Sequence, residues 1–310
     1  MESLQTIKSR LRAVNNIGKI TRAMEVVAAT KMRRAQEVAI NSRPYSFQAL
    51  ELLSRLIAQH KNPDMPILKD REIKNTLLVI VSSDRGLVGS FNNQLFRVVS
   101  EYIKNNSLTA KNFSVVTVGK KAMNFADKNG YKIEQKFLNF GNMVRTTEMA
   151  AVSNMIIDGY LASKWDRVVA ISMNFKSTIV QNAVTRQILP VDFEMIKKIV
   201  KDIVPERGRY AGLAIPVDLS RAASRDYIFE PSKTEILSSL IPHLIKMQFY
   251  HLMLEANASE HSARRVAMKT ASDNADEVAG KLSLDYNKVR QSNITRELIE
   301  ITSTQGALQG

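Results

Sequence analysis

The turn Asp84-Arg-Gly-Leu-Val-Gly89 holds an acid, a base and two glycines between an apolar strand and a helix. In an α/β protein, backbone N–H groups at such a place can cradle a phosphate. Yet neither GxGxxG nor GxxxxGK[ST] occurs in the chain, and two glycines alone more often ease a tight turn. Asp84 beside Arg85 has no nucleophile or second carboxylate tied to it by spacing, which leaves a turn with a local ion pair. The histidines His60, His243, His251 and His261 match no ligand pattern, and are expected at the surface or at interfaces. Cysteine is absent, which removes disulfides, thiol nucleophiles and cysteine-ligated metals together. These residues argue against an enzyme and predict no cofactor, metal or nucleotide of the chain's own.

Charge points to partners instead. The 44 Lys and Arg against 30 Asp and Glu leave +14, an excess that suits nucleic acid, anionic lipid or an acidic protein surface. Between Met1 and Arg43 the bases are Lys8, Arg10, Arg12, Lys19, Arg22, Lys31, Arg33, Arg34 and Arg43, against Glu2, Glu25 and Glu37. Aromatics for base stacking are few there, only Tyr45 and Phe47. A basic coiled coil that binds nucleic acid is therefore the alternative reading, and a carboxylate-bearing protein partner the sharper one. No apolar run approaches the length that crosses a bilayer. The opening MESLQTIKSRLR lacks the apolar stretch of a secretory signal.

The elements that carry these residues run helix, alternating α/β, helix. Leu4, Ile7, Leu11, Val14 and Ile17, then Met24, Val27 or Ala28, Ala35 and Val38 recur in steps of three and four, the mark of one apolar seam. The pattern extends to about residue 60, with a kink expected near Pro44, which is long enough to suggest a coiled coil. Strands follow at Thr76–Ser82, Phe113–Val118, Tyr131–Phe137, Arg167–Phe175 and Val184–Val191, with helices among them, predicting a small, mainly parallel, Rossmann-like sheet. Residues 197–231 are irregular and basic. Ser232-Lys-Thr-Glu235 is a capping box, and Pro242 suits a first turn or a kink close to it. Small residues from Ala256 to Ala279 suit close approach of helices. The expected fold is a long antiparallel coiled coil of terminal helices, 1–60 and 232–310, with an α/β domain inserted at 61–231.

Three blocks then carry a resemblance. Ile7–Gln36 (IKSRLRAVNNIGKITRAMEVVAATKMRRAQ), Asp84–Asn92 (DRGLVGSFN) and the run Ala258–Ile301 resemble gamma subunits of F-type ATP synthases, in order and in spacing. The last block contains Ile294, Thr295, Glu297 and Glu300 in an ITxExxE pattern. The resemblance covers nearly the whole chain and implies a non-catalytic shaft that couples proton flow to catalysis on beta subunits. It implies as partners the hexamer of alpha and beta subunits, the epsilon subunit and the c-subunit ring, with no nucleic acid and only indirect membrane contact through the ring. Met24, Arg264, Gln291 and Thr295 match positions that meet beta. Tyr227 and Glu230, in Asp226–Pro231, match positions beside the c ring and epsilon. A peripheral place on the cytoplasmic face of a bacterial inner membrane is expected, since no transit peptide precedes the matched region. The chain departs from the family in placing five residues between Glu300 and Gly306, and in a longer, more basic 200–226. It lacks the cysteine-bearing insert of chloroplast members, so thiol control is not expected.

Overall fold

The computed structural model describes residues 3–41, 66–68, 71–139, 146–191, 230 and 232–308. The expected kink near Pro44 and nearly all of the basic segment 197–231 lie outside these. The chain divides into two compact units, Met1–Ala28 with Arg265–Gly310, and Ala29–Arg264. Two long helices, α1 (Leu4–Asn41) and α5 (Lys233–Leu308), run through both.

In the larger unit, β1 (Thr76–Val81), β2 (Phe113–Val118), β3 (Ile133–Phe137), β4 (Arg167–Phe175) and β5 (Gln181–Leu189) form one sheet in the order β3-β2-β1-β4-β5. The first four are parallel; β5 returns antiparallel to β4, as the short link 176–180 requires. The central strand TLLVIV is buried throughout, the mark of a sheet covered on both faces. Leu77, Val79 and Val81 face a cluster with α4 (Thr146–Leu161), the start of α5 and Ala39 of α1. Leu78 and Ile80 face α2 (Phe91–Asn105) and α3 (Lys120–Lys128), through Leu95, Val99, Ala122 and Ala126.

Helix α5 opens as its sequence directs: Ser232 Oγ accepts the Glu235 N–H at 3.2 Å. Pro242 is neither in its first turn nor a stop, because the helix continues unbroken to Leu308. An interior proline costs about 3 kcal/mol. Burial of Leu237, Ile241, Leu244 and Ile245 on both sides of it is worth more than that.

The smaller unit pairs the start of α1 with the end of α5. Ser3 caps α1, its Oγ accepting the Thr6 N–H at 3.2 Å. The residues withdrawn from solvent include Leu4, Ile7, Leu11, Val14, Gly18, Thr21, Glu25 and Ala28 on α1, and Met268, Ser272, Ala275, Ala279, Leu282, Tyr286 and Val289 on α5. Both series alternate steps of three and four, the heptad of a coiled coil. Ile17, read as a seam residue, is instead 52% exposed. Gly18 takes its place, and a Cβ there would stand 3.5 Å from the Cβ of Ala275. The seam keeps a 3.5-residue period, and close helix approach demands the small side chain rather than the more apolar neighbour.

Gly119, between β2 and α3, has φ +94, and a Cβ on it would fall 2.3 Å from the carbonyl oxygen of Ser82. Gly130 has φ +68 with open space around it. Gly119→Ala should therefore destabilise the chain by about 3 kcal/mol or more, and Gly130→Ala by only about 1 kcal/mol. Urea denaturation checks both; equal losses would contradict the clash.

Candidate functional site

At the carboxyl end of β1, the turn Asp84–Gly89 leads into α2 and also reaches the start of the neighbouring α3. Ser82 Oγ accepts the Ala122 N–H at 2.6 Å, Asp84 Oδ1 accepts the Lys120 N–H at 3.0 Å, and the Ser83 carbonyl accepts the Lys121 N–H at 3.1 Å. These are the first N–H groups of α3, the donors an anion would need. Asn92 fixes the other side: its Nδ2 donates to Ser83 Oγ at 2.8 Å, and its Oδ1 accepts the Ser83 N–H at 3.3 Å. Asp84 is thus a cap for α3 rather than one half of a local ion pair. The positive φ values in this turn fall on Leu87 (+63) and Gly89 (+56), not on Gly86.

Across the unit, residues 251–262 of α5 are buried without exception. His251 and His261, expected at the surface or at interfaces, are 2% and 3% exposed inside the chain's own fold; their neighbours on this enclosed stretch include Leu252, Met253 and Leu254. Glu255 Oε2 accepts from Arg186 Nη1 at 2.7 Å. Glu260 Oε1 accepts from Arg264 Nη2 at 2.7 Å, and the other nitrogen of that guanidinium lies 3.2 Å from His261 Nδ1. Burial pushes the Glu260 carboxyl above its usual range, against the pull of Arg264 and Lys31. Arg264, read as a forked donor for a partner, is therefore engaged inside its own helix, with 13% of its side chain exposed.

In the smaller unit Met24 is half-buried beside the seam. Arg22 Nη2 donates to Asp276 Oδ2 at 2.7 Å, an exposed pair that adds little stability. The ammonium of Lys269 is held protonated chiefly by Asp273, with a smaller pull from Glu25, which places this turn of α1 level with Lys269. Gln291 and Thr295 lie on one exposed face, Thr295 Oγ1 donating to the Gln291 carbonyl at 2.9 Å. They are roughly 33 and 39 Å farther along α5 from Lys269 at 1.5 Å per residue, so Met24 does not share a site with them. Counting outward from Gly18 against Ala275, Leu4 comes level with Val289. Beyond that point α5 has no α1 beside it, and residues 290–304 are all exposed. Glu230 is exposed, and Tyr227 lies outside the described residues.

A family model for ATP synthase matches residues 3–308. The ATP synthase gamma chain of Geotalea uraniireducens is 37% identical over 310 residues, covering the whole of both chains. The chain belongs to the ATP synthase gamma-chain family. The gamma chain of Dehalococcoides mccartyi is 35% identical, over 99% of this chain and all of that one. Among solved structures, the rotor of the Euglena gracilis mitochondrial ATP synthase superposes with a TM-score of 0.60 at 18% identity, covering 94% of this chain and 98% of its own. The central stalk and c-ring structure from Tetrahymena thermophila gives 0.56 at 23% identity, covering 82% and 99%. These two likenesses carry the fold: paired terminal helices with an inserted five-stranded sheet.

Members of this family are the non-catalytic rotor subunit. What the sequence reading of this gamma-family chain missed is the enclosed polar stretch of α5. One signal for it was present: Glu260 and Arg264 are four apart, the spacing of a helical ion pair.

Burial lowers His251 to about 4, so it is neutral in the folded chain. Its unfolded value is near 6.5, so below that pH the unfolded chain takes up the proton first. The contribution of this site to stability is intact above about pH 7 and declines as pH falls toward 4. Between about pH 7.5 and pH 5 the loss should be about 2 kcal/mol. Urea midpoints at the two pH values should show that extra loss in the wild type and not in His251→Leu.

Proposed function

We propose that the chain is the rotating central shaft of a proton-translocating F-type ATP synthase. It turns inside a hexamer of alternating alpha and beta subunits. Segment 61–231 is its foot on epsilon and the c ring, and 1–60 with 232–310 its shaft. The site of work is the cytoplasmic face of a bacterial inner membrane, reached through the ring; among the described residues no helix is long and apolar enough to cross a membrane.

One observation carries this reading. The smaller unit exposes Ile17, Ile20, Val26 and Val27 on α1, and Leu284, Ile294, Leu298 and Ile301 on α5. So much branched apolar surface on a basic rod marks a partner-binding face. A surrounding ring of subunits covers it from every side, which a groove on one side of a rod would not. Shared membership with the relatives above supports the same assignment, and the Tetrahymena structure holds a central stalk together with a c ring.

Within this reading Met24, Gln291 and Thr295 meet beta at two levels of the rod. Arg264 meets a beta carboxylate by exchanging it for Glu260, so the contact is made and broken as the shaft turns. Tyr227 and Glu230 face epsilon and the c ring.

Met24→Lys tests the orientation of α1. Its stem can lie along the seam while the ammonium reaches outward, so the coiled coil survives. A new ion pair in a partly desolvated interface is worth about 1–3 kcal/mol, enough to hold the shaft in one rotational state. In membranes carrying the variant complex, ATP hydrolysis should persist while ATP-driven proton pumping falls. Unchanged pumping would mean that Met24 does not face beta.

A photo-crosslinker at Glu230 in the assembled complex should capture epsilon or c. Capture of beta alone would remove this residue from the foot.

A further inference from the structure

The joint between α5 and the sheet adds directional bonds to its apolar packing. Along α5 the buried polar residues Gln248, His251, Glu255, Ser259 and Ser262 follow steps of three and four, so they form one stripe along the helix. Three of them reach the β4–β5 hairpin. Glu255 takes the guanidinium of Arg186 on β5 at 2.7 Å, with 7% and 5% of the two side chains exposed. Ser259 Oγ donates to the Met173 carbonyl on β4 at 3.5 Å, and Ser262 Oγ to the Thr178 carbonyl at 2.8 Å. Gln181 Nε2 ties the hairpin to Ser262 Oγ at 3.3 Å and to the Ser177 and Thr178 carbonyls at 3.3 Å each.

Apolar packing alone would leave a wider choice of rotation and register, because apolar attraction has no preferred direction. A hydrogen-bonded ion pair and two serine bonds fix both: turning α5 about its axis by one residue, about 100°, breaks all three at once. The cost of leaving a buried charge alone makes that rotation steep.

We infer that Arg186 is a positioning residue for rotary coupling. It acts through Glu255 to key α5 against the α/β unit, so that the helix cannot turn within its seat under load. The inference rests on the rotor reading above. Because α5 continues without a break into the shaft, a slip at this joint is a loss of rotation between foot and shaft.

The test uses the assembled complex in membranes, reading protons pumped per ATP hydrolysed against an opposing gradient. Arg186→Met with Glu255→Leu removes the pair without stranding a charge, a replacement that keeps folding stability. Hydrolysis should stay at the wild-type rate while the pumping ratio falls at least twofold. Arg186→Glu with Glu255→Arg should restore the ratio. Ser262→Ala removes one hydrogen bond and no charge, so it folds whatever happens to the ion pair, and should give a smaller loss in the same direction. A wild-type ratio in both the apolar pair and Ser262→Ala overturns the key and leaves Arg186 a structural residue. That outcome leaves the rotor reading standing, whereas a wild-type complex that hydrolyses ATP without any pumping would remove the rotor reading itself.

Discussion

Arg186 and Glu255 lie 2.7 Å apart with almost none of either side chain in water. Such a pair repays its desolvation only if its surroundings hold the geometry. Here the holding follows from the enclosure of α5 over residues 251–262. A helix with no solvent face cannot be amphipathic, so each polar group on it must find a protein partner. The partners come from β4, β5 and the turn between them. The short link 176–180 folds β5 back beside β4, and there its Arg186 meets Glu255. The same enclosure brings Glu260 against Arg264, which leaves that arginine inside the unit.

Much of this was legible in the residues. Steps of three and four gave the rods, and the β-branched runs gave the strands, because both periods follow from backbone geometry alone. The seam was legible in its period and not in its members. Ile17 is more apolar than Gly18, yet Gly18 lies against Ala275, since the heptad and the spacing of the helices outrank hydrophobicity at one position. Gly119 is required by a carbonyl 37 residues earlier in the chain, at Ser82, and no local pattern announces such a contact. His251 and His261 were misjudged for the same reason: their burial depends on what folds around α5, not on their neighbours in sequence. The function came from resemblance, carried by three blocks of sequence rather than by a catalytic motif.

The contrast along α5 carries the argument further. Where the helix is seated in the sheet, its contacts include ion pairs and hydrogen bonds, which resist rotation because they have direction. Where it leaves α1 behind, its surface offers Ile294, Leu298 and Ile301, whose attraction to any neighbour changes little as they slide past. The tight seam contributes to this outer surface as well. With Gly18, Ala28 and Ala275 on the inside, the helices come close, and the branched residues Ile17, Ile20 and Val27 are left outside. A shaft needs both properties in one element, a joint that does not turn and a surface that does. A single helix supplies them by changing the kind of residue along its length while its backbone stays the same.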